Sequence, residues 1–313
     1  MATGGTPCGI EIPQIFIHGT VDMELVRSFS VKAEVLGYDS LWVQERIIGD
    51  FSMLEPVSLL NFVAALTSKV RLGTAVLLTV LRNPVQLAKS LSTLDQMSRG
   101  RLIVGVGIGG GIGGRASLDP SVFGYSPERR VRRFTEGLGV MKALWTQPAA
   151  SFQGLFWNFK DVSMEPKPMQ KPHPPIWFGG HQEPALRRAV KHGDGWMGAG
   201  SSSASAFIRE SGLVRRLLEE AGRDPAGFKI SKRVYIAVDK DRDRAERRLR
   251  EWFSARYKNG DLGPRVSVWG EAAECVEKLS QIVAAGAQHL VLNPMFDEME
   301  HLELLAGEIM PRL

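Results

Sequence analysis

The sequence has no apolar run long enough to cross a membrane, and it is poor in cysteine. A membrane-spanning helix needs about 20 consecutive apolar residues, and no stretch approaches that length. The opening segment, MATGGTPCGIEIP, lacks the basic stretch and following apolar stretch of a secretion signal. Cys8 and Cys275 are the only cysteines, and Cys275 falls on an apolar helical stripe, which indicates a buried thiol. We therefore expect a cytoplasmic protein without a membrane partner.

Several motifs that would define a chemistry are also missing. The six histidines show no HxxxH or carboxylate spacing, so no metal site is expected. There is no GxSxG nucleophile elbow. The net charge is +5, but basic runs such as ERRVRRF (128–134) contain acidic residues and accompany no recognition motif. We expect no nucleic-acid partner, although mild positive charge helps to attract an anionic cofactor.

Strand-like and helix-like patterns alternate along almost the whole chain. The fourth helical stripe is typical, because its apolar residues recur at steps of three and four from Val131 to Trp145. Such alternation predicts parallel strands joined by right-handed crossovers, and eight units close into a (β/α)8 TIM barrel. A six-stranded open sheet is the alternative. The eight strand-like runs cover residues 10–18, 40–44, 72–79, 102–107, 176–179, 195–197, 229–238 and 289–292.

Two stretches interrupt this rhythm, one after the fourth strand and one after the fourth helix. Residues 107–126 are rich in glycine and contain no strand pattern. Residues 148–175 predict a short hairpin that turns at Gln153 and Gly154, followed by a proline-rich crossing. We interpret both as insertions within one barrel domain that spans residues 1–313.

The first insertion opens with GVGIGGGIGG (105–114), in which Gly105, Gly107 and Gly110 match the G-x-G-x-x-G pattern of dinucleotide-binding loops. In a Rossmann domain these glycines follow the first strand and open a helix directly. Here they follow the fourth strand, and Pro120 and Pro127 precede the next helix. The context favours a loop at the C-terminal face of a barrel, where active sites are built. A plain surface loop is the structural alternative.

The residues that follow the strands define a candidate site, because the carboxyl ends of barrel strands meet at one face. Two glycine-bearing loops lead into helices and predict phosphate cradles, since helix N-termini present unpaired N–H groups. Capping or turn roles for these loops, and structural roles for the two histidines, are the alternatives. The candidates after strands one, two, four, five and six are His18, Glu45, Arg46, Gly107, Gly109, Gly179, Gly180, His181, Gly200, Ser201 and Ser202.

Three stretches resemble the luciferase-like monooxygenase superfamily. They are LGYDSLWVQER, RLGTAVLLTVLRNPVQLAKSLSTLDQMSRGRLIVGVG, and EPKPMQKPHPPIWFGG with the later ALRRAVKHGDGWM. The similarity is greatest to the branch of oxidoreductases that depend on the deazaflavin coenzyme F420 (also written F-420). The resemblance implies a (β/α)8 barrel that binds this coenzyme, or FMN, at its C-terminal face.

The resemblance also implies positions for the cofactor. Strand three in this branch ends in a bulge with a cis non-proline peptide behind the ring, and this position falls at Ala75 and Val76. The coenzyme phosphate in the family lies on the loops after strands five and six. These loops correspond to the segments that begin at Gly179 and at Gly200.

The chain departs from the family at two catalytic positions. Some dehydrogenases of the branch carry an Asp-His pair after strand two, where this chain has Glu45 and Arg46. Arginine stays protonated and cannot act as an ordinary base, but it can hold an anionic substrate or the reduced ring. A family glutamate after strand four is replaced by Gly110. Sugar-phosphate dehydrogenation is therefore not expected, and hydride transfer with water, Glu45 or His18 as the proton source fits better.

We expect an oxidoreductase that transfers a hydride between reduced F420 and a small organic substrate. An FMN-dependent monooxygenase that inserts oxygen through a flavin hydroperoxide is the first alternative, and it would need a separate reductase to supply reduced cofactor. A barrel that only binds the deazaflavin is the second alternative. Family members often dimerise, so the resemblance also implies a homodimer.

Overall fold

Eight parallel strands close into a barrel in the computed structural model, which describes residues 5–17, 19–109 and 119–313. Each strand pairs in parallel with its neighbours, and the fourth closes on the fifth through the register Phe178 to Val106. The open sheet is excluded and the predicted (β/α)8 barrel is confirmed. The strands are β1 (Cys8–Glu11), β2 (Ser40–Val43), β3 (Arg71–Thr74), β4 (Leu102–Gly107), β5 (Ile176–Gly179), β6 (Gly195–Gly198), β7 (Lys229–Val238) and β8 (His289–Pro294).

Large side chains fill the barrel interior because alternate residues of each strand point inward. Trp42 and Trp177 stack with their ring centroids 5.5 Å apart. Ile103, Met197 and Val291 pack in the same buried cluster. Side chains thus fill the interior of the barrel, and a ligand-binding site must lie at one of its ends.

Helices surround the barrel and begin where capping residues precede their apolar stripes. Asp22 accepts hydrogen bonds from the N–H groups of Glu24 and Leu25, and Asn83 caps another helix in the same way. Pro56 and Pro84 occupy first-turn positions, where a missing N–H costs little. The surrounding helices are α1 (Met23–Val35), α2 (Pro56–Leu66), α3 (Pro84–Met97), α4 (Arg130–Thr146), α5 (Glu183–His192), α6 (Ala204–Glu220), α7 (Arg242–Tyr257) and α8 (Ala272–Ala284). Within the described residues, no helix is long and apolar enough to cross a membrane.

Two predicted strands are too long. The first ends at Glu11 instead of residue 18, because Pro13 has no N–H for a continued ladder. His18 lies outside the described residues. The third ends at Thr74, whose hydroxyl accepts from the Gly105 N–H at 2.9 Å and donates to the Gly105 carbonyl at 2.8 Å. The Thr74 side chain thus forms the hydrogen bonds to the Gly105 backbone that a neighbouring strand backbone would otherwise form.

Both predicted insertions interrupt the barrel at the expected places. After α4, strands Ala150–Gln153 and Asn158–Val162 pair antiparallel, and the Gly154 N–H donates to the Trp157 carbonyl at 2.9 Å. The glycine-rich insertion is described up to residue 109 and again from 119, where a short helix Pro120–Phe123 follows. The remaining short segments are strands Ile15–Phe16, Ser52–Met53, Leu77–Leu78 and Val268–Gly270, α-helices Leu262–Val266 and Glu298–Leu304, 3-10 turns Thr79–Leu81, Pro127–Arg129, Pro225–Gly227 and Met310–Arg312, and a π-helical turn Leu305–Ile309.

Candidate active site

A cavity of about 610 Å³ opens at the carboxyl ends of the barrel strands. This is the face on which barrel enzymes build their active sites. The structure brings ten of the sequence-predicted residues to the cavity wall. They are Glu45, Ala75, Val76, Gly107, Gly109, Gly179, Gly180, His181, Gly200 and Ser201.

One half of the cavity is walled by residues with little or no side chain. A Cβ added at Gly107 would lie 2.5 Å from Cγ2 of Val76, and one added at Gly179 would lie 3.0 Å from Cγ1 of Val76. Only glycine permits this approach at Gly107, so strands β4 and β5 lie directly against the segment after β3. The peptide bond between Ala75 and Val76 is cis, at the position that the resemblance implies. The result is a bare wall against which a flat ligand can pack.

The loops after β5 and β6 each lead into a helix. Gly180 has a φ of +143°, a conformation that side chains rarely adopt. Helix α5 follows directly, and Gln182 at its N-cap makes no side-chain capping bond. Pro184 has no N–H and the Ala185 N–H donates to the Gln182 carbonyl at 2.8 Å, so this helix offers an anion chiefly the positive end of its dipole.

Two arginines add positive charge to this part of the cavity. Arg130 and Arg188 both line it, and neither has a carboxylate within salt-bridge distance among residues 5–17, 19–109 and 119–313. Burial lowers the pKa of Arg188, because a charged guanidinium loses hydration there. An anionic group bound to the glycine loops would have both cations available as partners.

Ser202, also predicted to bind cofactor, contacts the protein instead. Its hydroxyl donates to the Ala199 carbonyl at 2.8 Å, and the Lys232 ammonium donates to the Ser202 carbonyl at 2.8 Å. Lys232 is 2% exposed, and burial lowers its pKa to about 7. Glu210, whose charge opposes that shift, has its own pKa raised by burial to about 7. Lys232 thus fixes the loop that carries Gly200 and Ser201.

Glu45, predicted to be catalytic, lies at the cavity wall but is engaged by the protein. Its Oε1 accepts from Arg82 Nε at 2.8 Å, and its Oε2 accepts from the Leu78 N–H. Arg82 also contacts Glu55 at 2.6 Å. Burial raises the pKa of Glu45 in spite of the Arg82 charge. The carboxylate therefore holds the segment after β3 in place.

Arg46, the other catalytic candidate in the described residues, is absent from the residues that line the cavity. Its Nε donates to the Ile48 carbonyl at 3.0 Å, and its guanidinium lies 4.7 Å from the centroid of the Phe51 ring. The loop after β2 therefore turns this side chain away from Glu45. The structure does not assemble the catalytic pair that their adjacency in sequence predicted.

The polar half of the cavity, on β7 and α7, was not predicted from the sequence. Arg233 lines the cavity, and its Nη2 donates to Glu11 Oε2 at 2.9 Å. Burial lowers the pKa of Arg233, but the Glu11 carboxylate outweighs it and holds the pKa well above its usual value. Tyr235 and Tyr257 share a hydrogen bond between their hydroxyls at the same wall. Charged residues inside the apolar runs CGIE and KISKRVYIAV were the available signal.

The described residues contain no group of three or more His, Cys, Asp or Glu side chains that could hold a metal ion. The fold and its cavity instead define a (β/α)8 barrel with a bare, cationic ligand site at its C-terminal face. The family model for luciferase-like monooxygenases matches residues 17–289, and the chain belongs to this family.

Named relatives fall into two groups. The F420-dependent glucose-6-phosphate dehydrogenase of Kineococcus radiotolerans is 27% identical over 318 residues, which cover 91% of each chain. The FMNH2-dependent dimethylsulfone monooxygenase of Pseudomonas putida is 31% identical over 199 residues, which cover 62% of this chain and 53% of that protein. A solved F420-dependent secondary alcohol dehydrogenase, in complex with an F420-acetone adduct, has a TM-score of 0.85 at 21% identity over 99% of both chains. This last likeness shows a common fold.

Proposed function

We propose that the protein is an oxidoreductase that transfers a hydride between coenzyme F420 and a small organic substrate. The observation that carries the proposal is the half of the cavity lined by Ala75, Val76, Gly107 and Gly179, where the glycines admit the Val76 side chain and add no side chain of their own to the wall. The similarity to the F420-dependent dehydrogenase along 91% of both chains supports this cofactor.

The residues present fit a cofactor with a flat ring and an acidic side chain. Ala75, Val76 and the glycine wall would pack against the ring. The loops at Gly180 and Gly200 would bind the phosphate through backbone N–H groups, with Arg188 and Arg130 as counterions. When bound, the coenzyme supplies the hydride chemistry, and the protein contributes orientation and electrostatics.

The protein's own side chains have supporting tasks in this proposal. Glu45 fixes the backbone at Leu78 through a hydrogen bond and is neutralised by Arg82. It is thus a positioning residue, while its pKa, raised by burial, keeps it a candidate proton source. Lys232 fixes the loop that carries Gly200. A homodimer, a cytoplasmic location and a single barrel domain remain predictions.

FMN-dependent oxygen insertion is the second candidate function. It is favoured by the 31% identity to the dimethylsulfone monooxygenase, which is higher than the identity to the F420-dependent dehydrogenase but extends over less of the chain. The same cavity would accept the ring and phosphate of FMN. A partner reductase would then be required.

Parallel titrations with F420 and with FMN, followed by ring fluorescence, test the proposal. We expect F420 to bind at least tenfold more tightly than FMN. The reverse preference, with oxygen uptake in the presence of reduced FMN and a substrate, would establish the second function. Failure of both ligands to bind would refute the assignment of the glycine loops.

A further inference from the structure

Arg256, near the end of α7, is a buried cation without an acidic partner. Arg256 is 7% exposed, and no Asp or Glu in the described parts of the chain lies within salt-bridge distance of its guanidinium. Among the residues that the structure describes, its Nε has no hydrogen-bond acceptor, and its Nη2 reaches Gln44 Oε1 only at 3.5 Å. A buried guanidinium normally has its donors satisfied, so this arrangement is incomplete.

A second arginine lies beside it. The guanidinium carbons of Arg46 and Arg256 are 4.7 Å and 4.6 Å from the centroid of the same Phe51 ring. The acid nearest to Arg46 is Asp50, 3.9 Å away and 61% exposed, and it also pairs with Lys258 at 3.3 Å. The two arginines therefore bring more positive charge to this place than the protein neutralises.

Arg233 carries a further donor toward the cavity. Glu11 engages its Nε and Nη2, whereas Nη1 lies beside Gly200, 2.5 Å from where a Cβ would stand on that residue. Arg233 lines the cavity and is held rigidly by the Glu11 carboxylate. Its guanidinium is therefore preorganised for an oxyanion.

The energetics favour an anion at this position. Removing an unpaired charge from water costs several kcal/mol, and the cost falls when a counterion is supplied. Burial lowers the pKa of Arg256; Tyr257 and Tyr235 oppose this shift, and the charges of Arg46 and Arg233 add to it. The hydroxyls of Tyr235 and Tyr257 are bonded to each other.

We infer that the cavity wall formed by Gln44, Tyr257 and Arg233, with Arg256 and Arg46 behind it, binds the carboxylate or phosphate group of an acidic substrate. Resting on the proposed function, we assign this group to the substrate because the loops after β5 and β6 provide the anion site for the cofactor. Gln44 and Tyr257 line the cavity and contact Arg256. The Gln44 amide, which donates to Glu11 Oε2 at 2.9 Å, would have to rotate to open the guanidinium to the ligand.

Calorimetric titration with inorganic phosphate and with acetate tests this site and distinguishes the two kinds of oxyanion. Each titration is made on the protein alone and on the protein saturated with whichever of F420 and FMN it binds, so that the cofactor occupies the glycine loops. We expect saturable binding of at least one anion in both forms. Arg256→Gln should weaken it at least tenfold and leave the cofactor affinity within twofold of wild type.

Arg247→Gln is the matched control, because Arg247 lies exposed on the same helix. It should change neither anion nor cofactor affinity. Arg46→Gln, at a side chain that is less buried, should also weaken anion binding. If Arg256→Gln does not fold, the Arg46 variant tests the inference in its place. Equal anion affinity in wild type and the Arg256 and Arg46 variants, or no saturable binding to wild type, would overturn the inference. Loss of cofactor binding alone would refute the proposed function, and the protein-alone titration would still report on the arginine site.

Discussion

The ammonium of Lys232 lies 2.8 Å from the carbonyl oxygen and 3.0 Å from the hydroxyl of Ser202. It also donates to the carbonyl of Ala199, so all its hydrogen bonds go to one loop. Lys232 is 2% exposed, and its hydrogen bonds to Ala199 and Ser202 order the backbone around Gly200. The loop proposed to bind the cofactor phosphate is therefore shaped from behind by a charge on β7.

Replacing Lys232 with methionine should weaken cofactor binding at least tenfold while the barrel still folds. The carbonyls of Ala199 and Ser202 would lose the Lys232 donor, although that of Ala199 keeps the Ser202 hydroxyl and N–H, and the loss costs about 1–3 kcal/mol and loosens the loop. Cofactor titration measures the affinity, and amide hydrogen exchange across 199–202 reports on the loop without any cofactor. Lys229→Met, at an exposed position of the same strand, is the control. Unchanged exchange across the loop would rule out the positioning role.

The same lysine predicts a pH dependence of stability. Its pKa is about 7 in the folded protein and near 10.5 in the unfolded chain, because burial penalises the charge. Between these values the unfolded chain binds a proton that the native protein has released, so this group adds stability as the pH rises. Glu210, with a pKa of about 7, is largely ionised over most of this window.

Urea unfolding at about pH 8 and about pH 10 measures this effect, with Lys232→Met as the reference. The free energy of unfolding of the wild type should rise relative to the variant by up to about 1.4 kcal/mol per pH unit. A constant difference between the two proteins would show that Lys232 keeps an ordinary pKa in the native state.

The barrel could be predicted from the sequence because its signal is local. Trp42 and Trp177 lie in short apolar runs between helical stripes, and alternation alone places both in strands. The end of β1 was not predictable in this way, because apolar residues continue past Pro13 into a different pairing with Ser52–Met53. The strand ends, and therefore the site residues, depend on contacts that the pattern does not contain.

The sequence indicates the glycine-lined half of the cavity more clearly than the polar half. Glycines at 107 and 179 stand out by type, and the resemblance supplied Ala75 and Val76. The pair of Glu11 and Arg233 joins residues 222 positions apart, so no local pattern links them. Arg46 was placed near the site by its position after β2, but the loop directs its side chain toward Phe51.

Glu45→Ala should destabilise the protein by about 3 kcal/mol, because removing one member of a buried ion pair strands the other. The Leu78 N–H would lose its acceptor as well. Arg82 keeps Glu55 as a partner, which limits the loss. Urea unfolding of the variant measures the change. Glu219→Ala, at an exposed position on α6, should shift stability by less than about 0.5 kcal/mol. Equal stability of the two variants would show that the ion pair between Glu45 and Arg82 contributes little to the free energy of unfolding.

Gly180→Asp should weaken cofactor binding at least tenfold. The substitution adds a negative charge beside the N-terminus of α5, where the proposed phosphate would bind, and like charges repel. A Cβ at this position would also lie 2.8 Å from that of Ala185, so part of the effect is steric. Gly180→Ala introduces the same Cβ without the charge and separates the two causes.

The comparison of these two variants decides where the phosphate binds. A much larger loss for aspartate than for alanine would place an anion at α5, and the difference should shrink at high salt because exposed charges are screened. Gly227→Asp, at a position with open space around it, should leave affinity unchanged. Equal losses for the alanine and aspartate variants would mean that Gly180 is required for backbone shape, and the anion would then have to bind at Gly200.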